Sequence, residues 1–251
     1  MKVSIIIPVF NDPRIAIALD SISSQEFEGE IEVVVVDGKS TDHTLEVVYG
    51  YGKLVTTLIS EPDKGIFDAL NKGVARSTGD VIALIGADDR YADSHVVRDS
   101  VVGLVDDTVD GTYGDLVYVD DDDNIARYWR SGLFRRFKLY FGWIPPHFTL
   151  FARRRVYDQV GPFDLSMRVG ADYDWQLRML YEHNFRLRYV PRVLVRMTLG
   201  GNSNRSLRNI VTGNIEAFRA WRKHSVYLGL LAPILKPASK LVQLVRLPPR
   251  S

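Results

Sequence analysis

The sequence has no cysteine. That excludes disulfide bridges, thiolate-bound zinc and thiol nucleophiles, and it suits a reducing cytoplasm. It has almost no net charge, since 32 Lys and Arg against 31 Asp and Glu leave +1. No global field recruits nucleic acid, and no nucleic-acid partner is expected. No apolar run is long enough to span a bilayer. The N-terminal MKVSIIIPVF is cut by Pro8 and Asn11-Asp12, so it reads as a first strand rather than a leader. There is no internal repeat. GxGxxG does not follow the first strand and GxxxxGKS/T occurs nowhere, which removes the usual dinucleotide and P-loop fingerprints. What remains is a globular composition, 46% hydrophobic over 251 residues, enough for one large α/β domain or two small ones.

Residues 3–7 form a nearly continuous apolar run closed by Pro8, the pattern of a strand buried on both faces. Asp12 is expected to cap a helix with Pro13 at its first position and Ile15, Leu19 and Ile22 on one face. Residues 31–36 make a second, β-branched strand ended by Asp37-Gly38. Ser40 is the expected N-cap of the next helix, with Asp42 in its first turn. A third strand over 54–59 and a polar loop over 60–65 lead to a helix carrying Ile66, Ala69, Leu70, Gly73 and Val74. A fourth strand covers 81–85. Strands and helices that alternate with short connections predict a doubly wound, mostly parallel sheet. The loops at the strands' C-terminal ends then gather on one edge, where ligands bind. Residues 10–12, 37–40, 61–65 and 87–90 meet there, with acidic residues in all four loops.

The fourth loop is the most informative. Gly86 breaks the strand, and Asp88 and Asp89 follow. Adjacent carboxylates repel unless a cation or a ligand's hydroxyls share the site. A hard divalent ion takes one or two carboxylates and completes its shell with phosphate oxygens and water. A metal–phosphate site is therefore one reading, and a solvated turn is the other.

Beyond residue 110 the pattern changes. Asp93 is expected to cap a helix with Val97, Val101, Leu104 and Val105 inward. Residues 116–119 and 125–129 flank Asp120–Asp123 and read as a hairpin with a solvated acidic loop, without EF-hand spacing. Residues 133–143 are basic and aromatic, and suit either a membrane or acceptor surface or a helix packing its rings on the sheet. A helix over 153–160 stops at Gly161-Pro162. Gly170 opens a helix with Asp172 and Asp174 in its first turn. Residues two apart on a helix do not face one pocket, so Asp172 is the candidate for chemistry and Asp174 for capping or orienting. Residues 185–190 and 193–197 read as two short strands around Pro191. Residues 199–206 are composed like a lid loop. Leu207, Ile210, Val211, Asn214, Phe218 and Trp221 are expected to share one helix face. The tail, 224–251, has short apolar runs flanked by lysine and arginine, fit for a membrane surface or a partner.

SIIIPVFN (4–11), VVVVDGKSTDHT (33–44), SEPDKGIFDALNKG (60–73), TGDVIALIGADD (78–89) and GADYDWQLRM (170–179) together resemble the family 2 inverting glycosyltransferases of GT-A fold. The likeness is strongest to the bacterial enzymes that assemble surface polysaccharides, and it covers about the first 200 residues. It implies an α/β fold, a Rossmann-like sheet with a smaller antiparallel acceptor-side part and C-terminal helices. The implied division is a GT-A domain over 1–200, with a nucleotide-sugar half (1–110) and an acceptor half (111–200), and a helical extension over 201–251. The donor, a nucleotide-diphosphate-sugar, is implied to lie against Pro8, Phe10, Asn11, Asp37, Ser40, Asp63, Lys64, Asp68 and Asp88, with Asp37 accepting from the base. Asp89 would hold a divalent metal, Mg²⁺ or Mn²⁺, at the family's DxD site, whose first position here is Ala87. Asp172 matches the catalytic base, with Ala171 where the family motif has Glu. His147 falls near a His-Gln pair of the family, with Phe148 in place of Gln. The acceptor would be a sugar or a lipid-linked molecule, met at the inner face of the cytoplasmic membrane through 133–143 and 224–248. A homo-oligomer is a further expectation.

The chemistry is consistent with that assignment. Breaking a sugar–diphosphate bond develops charge on the leaving phosphate, which a metal ion stabilises. A hydroxyl attacking the opposite face needs one carboxylate to take its proton. A sugar-nucleotide nucleotidyltransferase is the rival enzyme, but PVFNDPR stands where a Gly-rich basic loop is needed. The other rival, a non-catalytic nucleotide-sugar-binding module, has no need of a base.

Overall fold

The computed structural model describes residues 1–199 and 207–224. The first half runs β1 (Lys2–Val9), α1 (Ile15–Ser23), β2 (Glu30–Asp37), α2 (Thr44–Gly50), β3 (Val55–Ser60), α3 (Ile66–Arg76) and β4 (Val81–Leu84). The second runs β5 (Arg90–Tyr91), α4 (Val96–Val102), β6 (Gly111–Val119), β7 (Ile125–Trp129), β8 (Phe151–Arg153), α5 (Arg154–Val160), α6 (Ala171–Leu177), β9 (Leu187–Thr198) and α7 (Leu207–Lys223). The strands form one sheet in the order β3-β2-β1-β4-β8-β6-β9-β5, with β7 paired to β6. β1 to β4 are mutually parallel, and β8, β5 and β7 enter antiparallel.

Period-2 alternation divides the parallel strands between two cores. Val3, Ile5, Ile7, Val33, Val35, Val81 and Ala83 face α1 and α4, while Ile6, Val34, Val36, Ile82 and Leu84 face α3, α5, α6 and α7. Burial on both faces explains why these strands read as unbroken apolar runs.

The structure corrects several local expectations. β1 runs one residue past Pro8. Ile6 O accepts from Ile85 N at the end of β4. Pro8 faces the same side beyond that end, so its missing N–H breaks no ladder bond. Neither Ser40 nor any side chain caps α2: His43 stands at its N-cap position without a side-chain bond, and Asp42, just before it, accepts from Thr44 N at 3.0 Å; Ser40 accepts from Asn11 N instead. Val105 lies past the end of α4 and is exposed, and Val96 takes the inward place. The segment around Pro191 is one strand, because the proline falls in a bulge between the Tyr113–Tyr189 and Asp115–Val193 pairs. The short strands β5 and β8 give no signal in the sequence. Residues 136–141 form a 3₁₀ turn. Tyr140 stacks on Trp221, Phe134 stacks on Trp143, and Leu133, Phe137 and Phe141 stay exposed. α7 buries Glu216, Ala217, Ala220 and Trp221 and leaves Val211 and Phe218 outside. Its small residues let it approach α6 closely. Of the expected lid over 199–206 and tail over 224–251, all but Leu199 and His224 lie outside the described residues.

Candidate active site

Four loop ends meet at one edge of the sheet, joined by bonds that cross between loops. Gly38 N donates to Val9 O, and Glu61 N donates to Asp37 O. Asn11, at φ +47, donates its N–H to Ser40 Oγ at 2.8 Å and accepts from Thr41 N through Oδ1. Asp37 is fully buried; its carboxylate accepts from Ser40 N at 3.1 Å and from Ser60 Oγ at 2.6 Å. Phe10 stands above this edge, 61% exposed. Asp63 and the Phe10 ring close over Gly38, where a Cβ would come within 2.6 Å of Asp63 Oδ2. Asp68 accepts from Lys64 N at 3.0 Å, which ties the loop to the start of α3. The edge is therefore a braced wall with an exposed ring on it, and Pro8 is buried within the wall.

Asp88 and Asp89 differ in environment. Asp88 is partly open and pairs with Arg14 at 3.2 Å, while Arg14 also holds Asp12 at 2.6 Å. Asp89 is 3% exposed, and its Oδ1 accepts from Thr198 N at 3.0 Å. Its Oδ2 lies over Gly86, where a Cβ would come within 2.4 Å. Burial, with the charge of Asp88 added, pushes the Asp89 carboxyl up to about 7. A cation beside this pair would relieve both penalties. The donors are all carboxylate oxygens, which suits Mg²⁺ or Mn²⁺. Among the described residues no three Asp, Glu or His side chains are grouped to hold a metal. A cation on Asp89 would therefore complete its shell with phosphate and water oxygens.

Asp172 is half-buried in the first turn of α6, and its Oδ1 accepts from Tyr173 N at 2.7 Å. The turn over 147–149 spans from here to Asp89. Phe148 lies beside Gly86, and the negative charge of Asp172 is felt at His147. Burial nevertheless holds the His147 pKa below the usual histidine value. Its Nδ1 lies 3.3 Å from the Gln176 amide of α6. Asp174 turns the other way. It is fully buried between Arg178 Nε at 3.0 Å and His224 Nε2 at 3.2 Å. It therefore anchors the end of α7 instead of orienting Asp172.

Sequence reasoning missed three residues at this site, two of which leave no local signal. Thr198 bonds Asp89 and Asp88 from the end of β9. Glu216 bonds the segment before α6. Neither stands near a motif, and only the fold delivers them. Arg14 had a local signal, a lone cation just after the first carboxylate loop.

The profile described as Glycosyl transferase family 2 matches residues 4–169. A PGL/p-HBAD biosynthesis glycosyltransferase of Mycobacterium bovis is 34% identical over 206 residues, covering 80% of this chain and 78% of that one. Glycosyltransferase AglE of Haloferax volcanii is 28% identical over 70% of this chain and 60% of its own. Among solved structures, S. aureus TarS 1-349 superposes with a TM-score of 0.65 at 18% identity, over 94% of this chain and 72% of that one. The chain spans 40% of the longer TarS chain. Mannosyltransferase PcManGT from Pyrobaculum calidifontis, in complex with GDP-Man and Mn²⁺, superposes with a TM-score of 0.65 at 21% identity. That superposition covers 96% of this chain and 75% of that one. These likenesses show a GT-A fold.

Proposed function

Because this chain belongs to glycosyl transferase family 2, we propose that it moves a sugar from a nucleoside-diphosphate-sugar to a hydroxyl acceptor with inversion. The observation that carries this reading is the braced edge where four loops converge beside the adjacent carboxylates Asp88 and Asp89, the second of them buried. The nucleoside lies against Phe10, with Pro8, Asn11, Asp37 and Ser40 holding the wall it meets. Asp63, Lys64 and Asp68 line the loop beside it, and Asp88 faces the ribose. Asp89 would hold a divalent cation, which would supply stabilisation of the negative charge that develops on the leaving phosphate. Asp172 takes the proton of the acceptor hydroxyl. Its Oδ1 is fixed by Tyr173 N, and Oδ2 has no hydrogen-bond partner among the described residues. Solved neighbours carry UDP-GlcNAc and GDP-Man, which supports a nucleotide-sugar donor here.

On the acceptor side we place a sugar or lipid-linked molecule of surface polysaccharide or glycolipid synthesis. The exposed Leu133, Phe137 and Phe141 among Arg135, Arg136 and Lys138 fit a contact with an anionic membrane surface. No described helix is long and apolar enough to cross a membrane.

The test is thermal unfolding with UDP-, GDP- and dTDP-sugars, with and without Mn²⁺ or Mg²⁺. A ligand at a hundred times its Kd stabilises the fold by about 2.7 kcal/mol. One nucleotide should shift Tm only with metal. Asp172→Asn should keep that shift and lose about 10²-fold or more of transfer. Near-normal turnover in this variant overturns the base assignment.

A further inference from the structure

We infer that Glu216 is a positioning residue for Asp172, which makes α7 part of the catalytic apparatus. This rests on the reading of Asp172 as the base.

Glu216 is 5% exposed on α7 and is aimed at the segment that enters α6. Its Oε1 accepts from Arg168 N at 2.9 Å, and its Oε2 accepts from Val169 N at 2.8 Å and Gly170 N at 2.7 Å. Three consecutive amides converge on one carboxylate. Gly170, the residue before α6, has no side chain to cap the helix, so these donors depend on a group 46 to 48 residues away in the chain. Charge-assisted bonds of this kind are about twice as strong as neutral ones. Together they fix the backbone two residues before Asp172.

The far side of Asp172 is held from the same helix. Trp221 Nε1 donates to Tyr173 OH at 2.8 Å, and Tyr173 N is the donor that orients Asp172 Oδ1. One helix thus clamps the backbone before the base and the residue after it. No donor-side residue takes part in this clamp, so loosening it should alter the placement of the base without altering donor affinity. A displacement of about 1 Å at a reacting group can cost about 10²-fold in rate.

The test compares Glu216→Gln with wild type in the full chain. The assay is nucleoside diphosphate release from UDP-glucose and from GDP-mannose with Mn²⁺, water serving as acceptor. Gln keeps the shape but presents an NH₂ to amides that need an acceptor. Supporting results are a fall in kcat of tenfold or more with donor KM within twofold, and faster hydrogen exchange at amides 168–170. Trp221→Phe, which keeps an aromatic ring against Tyr140 and removes the bond to Tyr173, should lower kcat in the same direction. It decides the matter if Glu216→Gln fails to fold. Asp172→Asn is measured in parallel. If Asp172→Asn turns over normally, the base reading fails. If Asp172→Asn is inactive while Glu216→Gln, or Trp221→Phe in its place, keeps kcat within twofold, this inference alone is overturned.

Discussion

Glu32 and Asp89 are both buried carboxylates at the ends of sheet strands, and they titrate in opposite directions. Burial raises both. Glu32 overcomes it by accepting from Ser4 Oγ, Thr78 N and Thr78 Oγ1, with Lys2 beside it, and its pKa falls to about 2. In the unfolded chain it titrates near 4.5. Its contribution is therefore complete above that pH and is lost as pH falls toward 2. Glu32→Gln should cost on the order of 2 kcal/mol at pH 7 and flatten the acid limb of stability below pH 5, read by urea unfolding. Asp89 has Asp88 for a neighbour and rises to about 7. A raised acid pKa costs stability as pH climbs from the unfolded value through the folded one. Asp89→Asn should therefore hold or raise Tm at pH 8 without metal, while abolishing the metal-dependent donor shift. A residue that destabilises the fold and is needed for binding is the expected signature of function. If the donor shift survives in Asp89→Asn, the metal assignment is wrong.

At the scale of elements, α7 shows how a distant helix reaches the site. His224 at its end faces Asp174 of α6 and Glu182 of the following turn, with Arg178 and Lys223 also close to Asp174. Burial lowers the His224 pKa, but the bonds to Asp174 and Glu182 outweigh it and leave it raised. Asp174 is likewise pushed up by burial, yet the His224 bond and the Arg178 and Lys223 charges bring it below the usual value. A raised histidine stabilises the folded state fully below its unfolded pKa and loses this contribution as pH rises through the folded pKa. Hydrogen exchange over 211–224, corrected for intrinsic rates, should show α7 best protected near pH 6 and less so by pH 9. His224→Ala should remove that dependence. Equal pH dependence in the variant would exclude His224 as its source.

The whole molecule is nearly neutral, but its charge is unevenly placed. From Asn124 to Thr149 it carries five Lys and Arg and no carboxylate. Leu133, Phe137 and Phe141 protrude there at 62%, 59% and 53% exposure. Aromatic side chains ringed by cations suit the boundary between headgroup and acyl chain. Phe137→Ser combined with Phe141→Ser should weaken binding to phosphatidylglycerol-containing vesicles about tenfold. Wild-type binding should weaken with salt, and the donor-induced Tm shift should be unchanged in the variant. Absence of wild-type vesicle binding at low salt would sink the membrane reading.

The sequence by itself determined the parallel half of the fold. Runs such as 33–36 and 81–85 are buried on both faces, and burial of that kind leaves a local, continuous signature. Chain order then placed the carboxylate loops on one edge, so Asp37, Asp88 and Asp89 were identifiable as neighbours before any coordinate. Short elements were not legible. β5 and β8 have two and three residues, too few for periodicity to register. Tertiary structure alone decided which side of α7 is buried, because close packing on α6 favours Ala217 and Ala220 over the bulkier Val211 and Phe218. It also decided that Asp174 serves α7, and that Thr198 and Glu216 stand beside Asp89 and the entrance to α6. Those pairs are separated by 46 residues or more. A carboxylate leaves no local mark of the amide it will meet across such a distance, since the bond forms only when strand order and helix docking bring the two together.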